Sequence, residues 1–311
     1  MTTTPRLRYY VWSWARNLLS CRAYTEAAAA FGSLWLCVQI LTYFLPERQD
    51  DWLQARWWLF LAVGLTAAIW RRKPRLSFTH NITDRDVTVE IAVGDVFDYR
   101  DALIVGSNTT FDTEVSEKLI SEESVQGAFT RKHCQSVSKL DAAIETELAG
   151  LPYTRLEGQR IGKSRRYPVG TTVRVEQGGR IAYFLAIANI NRHGVARGDL
   201  AGLTEALASL WWYVGDRGGR EELVAPVLGS GFGRFVQRRD LIVREMVRSF
   251  IAACSERVFT QRLTIVLSPE DVLNHRISLD ALNAFVEHVC LYPGFASSDT
   301  DRIGSAVPEP S

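Results

Sequence analysis

The chain has 311 residues, and its 36 lysines and arginines nearly balance its 35 aspartates and glutamates, for a formal net charge of +1. It is long enough for one large domain or two small ones, and no bulk charge draws it to nucleic acid. The five cysteines form no CxxC pair and have no histidine at metal-ligand spacing, which argues against a disulfide framework and a metal site. We therefore expect reduced, mostly buried thiols.

Two long apolar segments lie within the first seventy residues, together with most of the tryptophans. The segment "AAAAFGSLWLCVQILTYFLP" (27–46) has no charged residue and, as a helix, would span a bilayer core of roughly 30 Å. The segment "WLQARWWLFLAVGLTAAIW" (52–70) is of similar length, and its Arg56 can snorkel to the interface. The pattern predicts a two-helix transmembrane hairpin over 23–73, with spans at about 25–46 and 52–70.

The flanks of this hairpin set its expected orientation. Basic residues precede the first span and follow the second in "RRKPR" (71–75), whereas the connecting "ERQDD" is net acidic. The positive-inside rule places both ends in the cytoplasm, including the basic segment 1–22. Two alternatives are a signal peptide, which the late start and second span disfavour, and a buried helical hairpin in a soluble protein, which Gln39 and Arg56 keep open.

After Pro74 the pattern changes to short β-branched segments that alternate with helical ones. Six segments are typical of buried strands: 86–93, 102–107, 171–176, 180–188, 222–228 and 262–268. Three amphipathic segments predict helices at 199–214, 238–254 and 278–289. This alternation predicts an α/β domain over 74–290, with a mixed sheet covered on both faces. The polar segment 291–311 is expected to be a flexible tail.

Three stretches with polar residues or glycines follow predicted strands, where α/β folds bind their ligands. They are "VGDVF" (93–97), "GSNTTFDT" (106–113) and "LGSGFGRF" (228–235). Glycines let consecutive backbone N–H groups approach a diphosphate, so the third stretch predicts a phosphate-binding loop. The plain alternative for it is an ordinary tight turn.

The segment "VGDVFDYRDALIVGSN" (93–108) resembles the opening of macro domains, which bind ADP-ribose. In that alignment Asp95 corresponds to the aspartate with which the family recognises adenine. Asn108 corresponds to the second asparagine of the family's Asn-Ala-Ala-Asn tetrad, whereas Val105 stands where the family has the first asparagine. "SVQGAF" (124–129) is similar to the family's first phosphate loop and "PVLGSGFGRF" (226–235) to its second. The resemblance covers roughly residues 85–290 and implies a three-layer α/β/α macro domain with a mixed central sheet.

The resemblance also implies a ligand and its binding residues. The ligand is an ADP-ribose derivative, with no further cofactor and no metal. An aspartate such as Asp95 can accept a hydrogen bond from the exocyclic amine of adenine, although it can also simply cap its own turn. Phe232 would offer an apolar face to a ribose, and Arg234 could pair with phosphate. The implied ligand-binding residues are Asp95, Val96, Asn108, Phe111, Asp112, Thr113, Ser124, Val125, Gln126, Gly127, Ala128, Gly229, Ser230, Gly231, Phe232, Gly233 and Arg234.

Some macro domains hydrolyse ADP-ribosyl bonds and others only bind. In this chain "GSNT" occurs in place of the full asparagine tetrad. The polar insert "FDTEVSEKLISEES" (111–124) occurs in place of the run of glycines found in common hydrolases. We therefore expect a binder with no catalytic residues. The alternative is a membrane-tethered hydrolase of ADP-ribosylated protein or O-acyl-ADP-ribose, in which Asn108, Asp112 or Glu114 activates a water.

Together with the two predicted spans, "NTTFDT" (108–113) resembles the membrane-anchored macro-domain effectors of Thoeris antiphage defence. In that family a TIR-domain protein makes the signal from NAD, and in the membrane-anchored type the signal is a histidine conjugate of ADP-ribose. The resemblance implies a two-pass protein of the bacterial inner membrane with a cytoplasmic macro domain. Ligand binding is then expected to drive homo-oligomerisation of the hairpins and membrane disruption.

Overall fold

The computed structural model describes residues 76–115, 119–157, 162–190, 196–229, 238–275 and 277–294, together with the helix 21–44 and isolated residues elsewhere before 76. The chain divides into two compact units, Met1–Leu76 and Ser77–Ser311. The predicted boundary at residue 74 lies close to this division.

In the first unit, helix α1 spans Cys21–Phe44 and so covers most of the first predicted membrane span. The second predicted span, 52–70, lies almost entirely outside the described residues. Within the described part of the chain, no helix combines the length and apolarity that a membrane crossing requires. The predicted transmembrane hairpin is therefore not confirmed, although its first segment is helical.

The second unit is built on a mixed sheet that runs β1-β2-β10-β9-β3-β7-β6. The five central strands β2, β10, β9, β3 and β7 are parallel, whereas β1 and β6 are antiparallel edges, and a short β8 pairs with the end of β7. A small hairpin, β4-β5, stands apart. The strands are β1 (Ser77–Asn81), β2 (Thr88–Val93), β3 (Ala102–Asn108), β4 (Thr154–Arg155), β5 (Arg165–Arg166), β6 (Thr172–Gln177), β7 (Arg180–Ile190), β8 (Ala196–Arg197), β9 (Leu223–Pro226) and β10 (Arg262–Leu267).

Helices follow most of the parallel strands, and several begin at a side-chain cap. Ser124, Ser136, Asp199 and Ser278 each accept a hydrogen bond from a backbone N–H in the first turn of their helix. The helices are α2 (Val125–His133), α3 (Val137–Leu148), α4 (Leu200–Arg217), α5 (Arg239–Glu256), α6 (Pro269–His275) and α7 (Leu279–Leu291), and a short 3₁₀ helix spans Val96–Asp98. The three helices predicted from the sequence correspond to α4, α5 and α7.

Two neighbouring residues of β7 show that helices cover both faces of the sheet. Phe184 meets Phe129 of α2 edge-on, with ring centroids 5.7 Å apart, and belongs to the core that α2 and α3 form with the sheet. Tyr183 meets Tyr213 of α4, with centroids 6.3 Å apart. Successive strand residues point to opposite faces, so α2 and α4 lie on opposite sides of the sheet. The predicted three-layer α/β/α fold with a mixed central sheet is confirmed.

A polar cluster fixes the amino end of β9. The Glu221 carboxylate accepts hydrogen bonds from Arg174 Nη2 at 2.8 Å, from the Tyr183 hydroxyl at 3.0 Å and from the Gly219 backbone N–H at 2.7 Å. Burial opposes ionisation of Glu221, but the Arg174 hydrogen bond and the other donors outweigh it and lower its pKa. This cluster therefore stabilises the end of the sheet opposite the loops that the sequence predicts to bind ligand.

Candidate functional site at the carboxyl edge of the sheet

The topology brings the predicted ligand loops to one edge of the sheet. Strands β2, β3 and β9 run parallel, so Asn108, the last residue of β3, lies at the same edge as Asp95 and Gly229, which follow β2 and β9. Gly229 has φ +72°, a left-handed conformation that glycine adopts without strain. The remaining predicted residues of this loop, Ser230, Gly231, Phe232, Gly233 and Arg234, lie outside the described residues.

Asp95 caps the 3₁₀ helix and keeps part of its carboxylate exposed. One carboxylate oxygen, Oδ1, accepts a hydrogen bond from the Phe97 backbone N–H at 3.0 Å. The other, Oδ2, lies 3.5 Å from Nζ of Lys132, a distance that indicates an ion pair and not a tight hydrogen bond. The turn-capping role considered for this aspartate is therefore present, and Oδ2 remains available for exchange of partners.

Lys132 also contacts the aromatic ring next to Asp95. Its ammonium lies 4.1 Å from the ring centroid of Phe97, which is cation–π distance. On the same ring, His133 stacks with a centroid separation of 6.1 Å, and His133 in turn contacts Phe129 of the core. Burial lowers the pKa of His133, and the neighbouring Arg180 and Lys132 cations lower it further.

Arg180, the first residue of β7, is a buried cation that interacts electrostatically with Asp95 and His133. Its exposed fraction is 7%, and its Nε and Nη2 have no hydrogen-bond partner among the described residues. Burial lowers the pKa of Arg180, whereas the negative charges of Asp101 and Asp95 favour its ionised form. Asp95 thus pairs with one exposed cation, Lys132, and interacts electrostatically with one buried cation, Arg180.

The Asn108 side chain organises the loop that follows β3. Its Oδ1 accepts hydrogen bonds from the backbone N–H groups of Thr110 and Asp112, each at 3.2 Å, and from Thr110 Oγ1 at 3.0 Å. Its Nδ2 donates to Asp112 Oδ2 at 3.0 Å. In this arrangement Asn108 supports the loop after β3 from within, because both of its side-chain groups bond to that loop.

Asp112 is the centre of the same loop and is almost fully enclosed, with 1% exposure. Besides the Asn108 amide, its carboxylate accepts from Thr110 Oγ1 at 2.6 Å and from the Lys163 backbone N–H at 2.7 Å. Its carbonyl oxygen accepts from Gln126 Nε2 at 2.8 Å. Asp112 therefore joins the loop after β3 to the start of α2 and to the segment that leads into β5.

The Lys163 side chain extends this connection to α3. Its Nζ lies 2.9 Å from Glu145 Oε1 and also pairs with Asp141, which accepts a 2.7 Å hydrogen bond from Thr113 Oγ1. Burial disfavours the Asp141 carboxylate, but the hydrogen bonds from Lys163 and Thr113 prevail and lower its pKa. The polar insert is thereby fixed against α3 at one of its ends.

The segment Ser124–Ala128 forms the first turn of α2, and its glycine is explained by packing. Ser124 Oγ accepts from the Gly127 N–H at 3.0 Å and donates to the Ser121 carbonyl at 2.6 Å. A Cβ on Gly127 would lie 2.3 Å from that carbonyl oxygen. The backbone of the preceding turn thus approaches Gly127 closely, and this contact requires a glycine whether or not a phosphate binds.

Two other predicted site residues are part of the core. Val96 is 6% exposed and Phe111 is 0% exposed, and both belong to the cluster beneath α2 and α3. Phe111 also has φ +49°, an uncommon conformation for a non-glycine residue. A role of these two residues in binding would rest on their backbone atoms, because their side chains face the protein interior.

Three residues that contribute to the site have no signal in the sequence: Lys132, Lys163 and Arg180. They reach it from the last turn of α2, the segment before β5 and the start of β7. Only the tertiary fold brings these elements together. Among the described residues, no group of three or more His, Cys, Asp or Glu side chains is arranged to hold a metal ion.

Comparisons with known proteins agree with this architecture. The family model described as "Thoeris protein ThsA, Macro domain" matches residues 89–268. The Thoeris protein ThsA of Bacillus amyloliquefaciens (strain Y2) is 26% identical over 181 residues, which are 56% of this chain and 59% of that protein. The chain therefore matches less than two thirds of that relative's length.

Among solved structures, the Oceanobacillus iheyensis macrodomain with ADP is 18% identical, with a TM-score of 0.45 over 66% of this chain and 96% of that one. The Trypanosoma brucei macrodomain in complex with ADP-ribose is 11% identical, with a TM-score of 0.41 over 64% of this chain and 68% of that one. The assignment rests on the family model, which covers more than half of the 311 residues. The chain belongs to the family of the macro domain of Thoeris protein ThsA.

Proposed function

We propose that the chain is a membrane-anchored effector that senses an ADP-ribose-derived nucleotide through its macro domain in antiphage defence. The observation that carries this proposal is the match of residues 89–268 to the ThsA macro-domain family. The position of Asp95, the Asn108 loop and Gly229 at one edge of the sheet also supports it.

The arrangement of the site suggests how the ligand lies. The exposed oxygen of Asp95 is suited to accept a hydrogen bond from the exocyclic amine of adenine, and Phe97 beside it offers an aromatic surface. The loop that begins at Gly229 would supply backbone N–H groups to the diphosphate. The distal ribose and its substituent, a histidine conjugate in our proposal, would then lie toward the polar insert.

Sensing without hydrolysis agrees with the family and with the state of two of the three predicted water-activating groups, Asp112 and Asn108. Asp112 is 1% exposed, and its carboxylate accepts hydrogen bonds from Asn108, Thr110 and Lys163. A general base must be within hydrogen-bond reach of the proton that it removes. Asp112 is enclosed by its own loop, and Asn108 bonds to that loop, so neither is positioned to activate an external water.

The membrane part of the proposal rests on the sequence of the first seventy residues. We propose that the two apolar segments form a hairpin in the bacterial inner membrane and that a TIR-domain protein supplies the signal. Ligand binding would favour assembly of the hairpins into a homo-oligomer that disrupts the membrane. A ligand can shift such an equilibrium only if it binds the assembled state more tightly than the separate one.

A calorimetric titration of the full-length chain tests ligand binding. We expect ADP-ribose and its histidine conjugate to bind and to be recovered intact by chromatography. Asp95→Asn keeps an oxygen that can cap Phe97 but removes the charge, so it should weaken ADP-ribose binding by roughly ten- to a hundredfold. The exposed Asp98 is the matched control, and Asp98→Asn should leave the affinity unchanged.

Two results would overturn parts of this proposal. Cleaved ligand in amounts far above the protein concentration would favour the hydrolase alternative over the sensor. If the folded wild-type chain bound neither ADP-ribose nor its conjugates, both the sensor and the hydrolase hypotheses would be wrong.

Membrane association needs a separate test, because the macro domain can bind ligand with or without an anchor. Cells that express the full-length chain are lysed without detergent and centrifuged at high speed. We expect the protein in the membrane pellet, resistant to alkaline extraction and released by detergent. Recovery in the supernatant would contradict the hairpin. In detergent, addition of the histidine conjugate should increase the oligomeric mass measured by light scattering.

A further inference from the structure

The cluster around Asp95 already holds a cation where the proposed ligand would place its base. Lys132 Nζ lies 3.5 Å from Asp95 Oδ2 and 4.1 Å from the centroid of the Phe97 ring. An adenine read at this position needs the same two features, an acceptor for its exocyclic amine and an aromatic surface for its ring. One ammonium therefore occupies both parts of the base-binding position.

We propose that Lys132 competes with adenine for Asp95 and Phe97 and thereby sets how strongly the site discriminates between bases. This inference rests on the proposed function, since it takes Asp95 as the residue that reads the base. Lys132 is a specificity-determining residue in this view, and it acts by leaving the site.

The exposure of the pair makes this displacement feasible. The Lys132 side chain is 42% exposed and that of Asp95 is 39% exposed. Ion pairs at such exposure are weak, because water screens the charges and ordering a lysine costs side-chain entropy. Lys132 lies in the last turn of α2 and can turn into solvent without any change in the backbone.

The buried Arg180 is a second cation that interacts with Asp95 and does not leave with Lys132. Its guanidinium interacts electrostatically with Asp95, and as a residue with 7% exposure it cannot move into solvent as Lys132 can. In this proposal Lys132 is the cation that a ligand displaces, and Arg180 is the cation that stays in place.

The lysine should act oppositely on a base that presents a carbonyl in place of the amine. Hypoxanthine has such a carbonyl, and Lys132 can donate to it while it remains paired with Asp95. Removal of the lysine should therefore favour adenine and disfavour hypoxanthine. The ratio of the dissociation constant for the hypoxanthine ligand to that for the adenine ligand is a sensitive measure of this effect. The two ligands have the same phosphates and riboses, so the contributions of these groups to binding cancel in the ratio.

The experiment measures this ratio on the full-length chain with ADP-ribose and inosine diphosphate ribose as probes. For Lys132→Met we expect the discrimination in favour of adenine to rise by about three- to tenfold over wild type, which corresponds to the loss of an exposed ion pair and a cation–π contact. Lys132→Arg keeps a cation at this position and should retain the wild-type ratio to within about twofold.

The matched control for loss of positive charge is Lys139→Met. Lys139 lies on α3 and its side chain bonds to the exposed Gln135, away from Asp95 in the contacts described. Its replacement should leave the ratio unchanged. Raising the ionic strength should increase discrimination in wild type, because salt screens the Lys132–Asp95 pair, and should have little effect in Lys132→Met.

The possible outcomes separate this inference from the function on which it rests. If Lys132→Met binds ADP-ribose but prefers adenine over hypoxanthine no more strongly than wild type does, the proposed role of Lys132 is wrong. The proposed function as a sensor is not affected by that result. The strongest support for competition by Lys132 would be clear binding of ADP-ribose by Lys132→Met under conditions in which wild type binds it only weakly. No binding of ADP-ribose by any of the folded variants overturns the proposed function and this inference together.

Discussion

The backbone N–H of Lys163 donates a 2.7 Å hydrogen bond to Asp112 Oδ1, although 51 positions separate the two residues in the sequence. The acceptor is a carboxylate with 1% exposure that also bonds to Asn108 and Thr110. Replacing a buried acceptor that has this many donors lowers the free energy of unfolding, because its donors remain buried without a hydrogen-bond partner.

Replacement of Asp112 should therefore destabilise the fold. Asp112→Asn replaces one acceptor oxygen with an amide NH2 group that faces another donor, so we expect the free energy of unfolding to fall by about 1–3 kcal/mol. Urea unfolding followed by circular dichroism measures the loss. The exposed Glu114 is the matched control, and Glu114→Gln should change stability by less than about 0.5 kcal/mol. Equal losses in the two variants would show that Asp112 does not hold the loop.

Gly162 provides a second test of the same contact. It has φ +94°, and a Cβ there would lie 2.5 Å from Asp112 Oδ1. Gly150 has φ +82° but nothing within 4 Å of such a Cβ. Alanine at Gly150 carries only the cost of the left-handed conformation, about 1 kcal/mol. Alanine at Gly162 should cost clearly more in the same urea experiment. A Gly162→Ala loss no larger than that of Gly150→Ala would contradict the close approach to Asp112.

Two adjacent tryptophans on α4 should respond very differently to truncation. Trp211 is 2% exposed, packs against Phe250 at a centroid distance of 5.3 Å, and donates from Nε1 to Ser249 Oγ at 3.0 Å. Trp211→Ala should lower the free energy of unfolding by about 3–5 kcal/mol. Trp212 is 69% exposed, so Trp212→Ala should change it by less than about 0.5 kcal/mol. Chemical denaturation of both variants would reveal any reversal of this order.

The stability contributed by Glu221 should depend on pH. Its pKa in the folded protein lies below the ordinary value of 4.5, because its donors outweigh its burial. Its contribution is therefore complete above that ordinary value and is lost as the pH falls through the lower, folded pKa. Glu221→Gln should be less stable than wild type near neutral pH, and the difference should shrink in acid.

Thermal unfolding across an acid-to-neutral series measures this difference, with Glu256→Gln as the control at an exposed helix end. A gap between wild type and Glu221→Gln that stayed constant down to strongly acidic pH would show that ionisation of Glu221 does not stabilise the fold. The control variant should follow the wild-type curve throughout.

Hydrophobic pattern alone was sufficient for most of the sheet. All six predicted strands are present. Five of them are the central parallel strands, which are buried on both faces and form continuous apolar segments, and the sixth is the edge strand β6. The edge strand β1 was missed, since "SFTHN" is largely polar and half exposed. The short strands β4, β5 and β8 were missed too, because two residues carry no periodic signal.

The site was predictable only where a loop follows a strand. Asp95, Asn108 and Gly229 could be placed because the strands that precede Asp95 and Gly229 and the strand that ends at Asn108 were predicted correctly. The sequence did not reveal that Asn108 bonds to its own loop, or that Phe111 faces the core. Lys132 could not be connected with Asp95 at all, because their contact depends on where the last turn of α2 lies over the sheet.

The neighbouring positions of Trp211 and Trp212 have an optical consequence. Nine tryptophans occur in the chain, and after residue 70 these are the two that remain, so the unit Ser77–Ser311 emits from one helix only. A water-soluble quencher should reach Trp212 and spare Trp211. With Trp212 changed to phenylalanine, this unit would hold a single tryptophan, Trp211, which is enclosed and whose emission reports on the contact between α4 and α5.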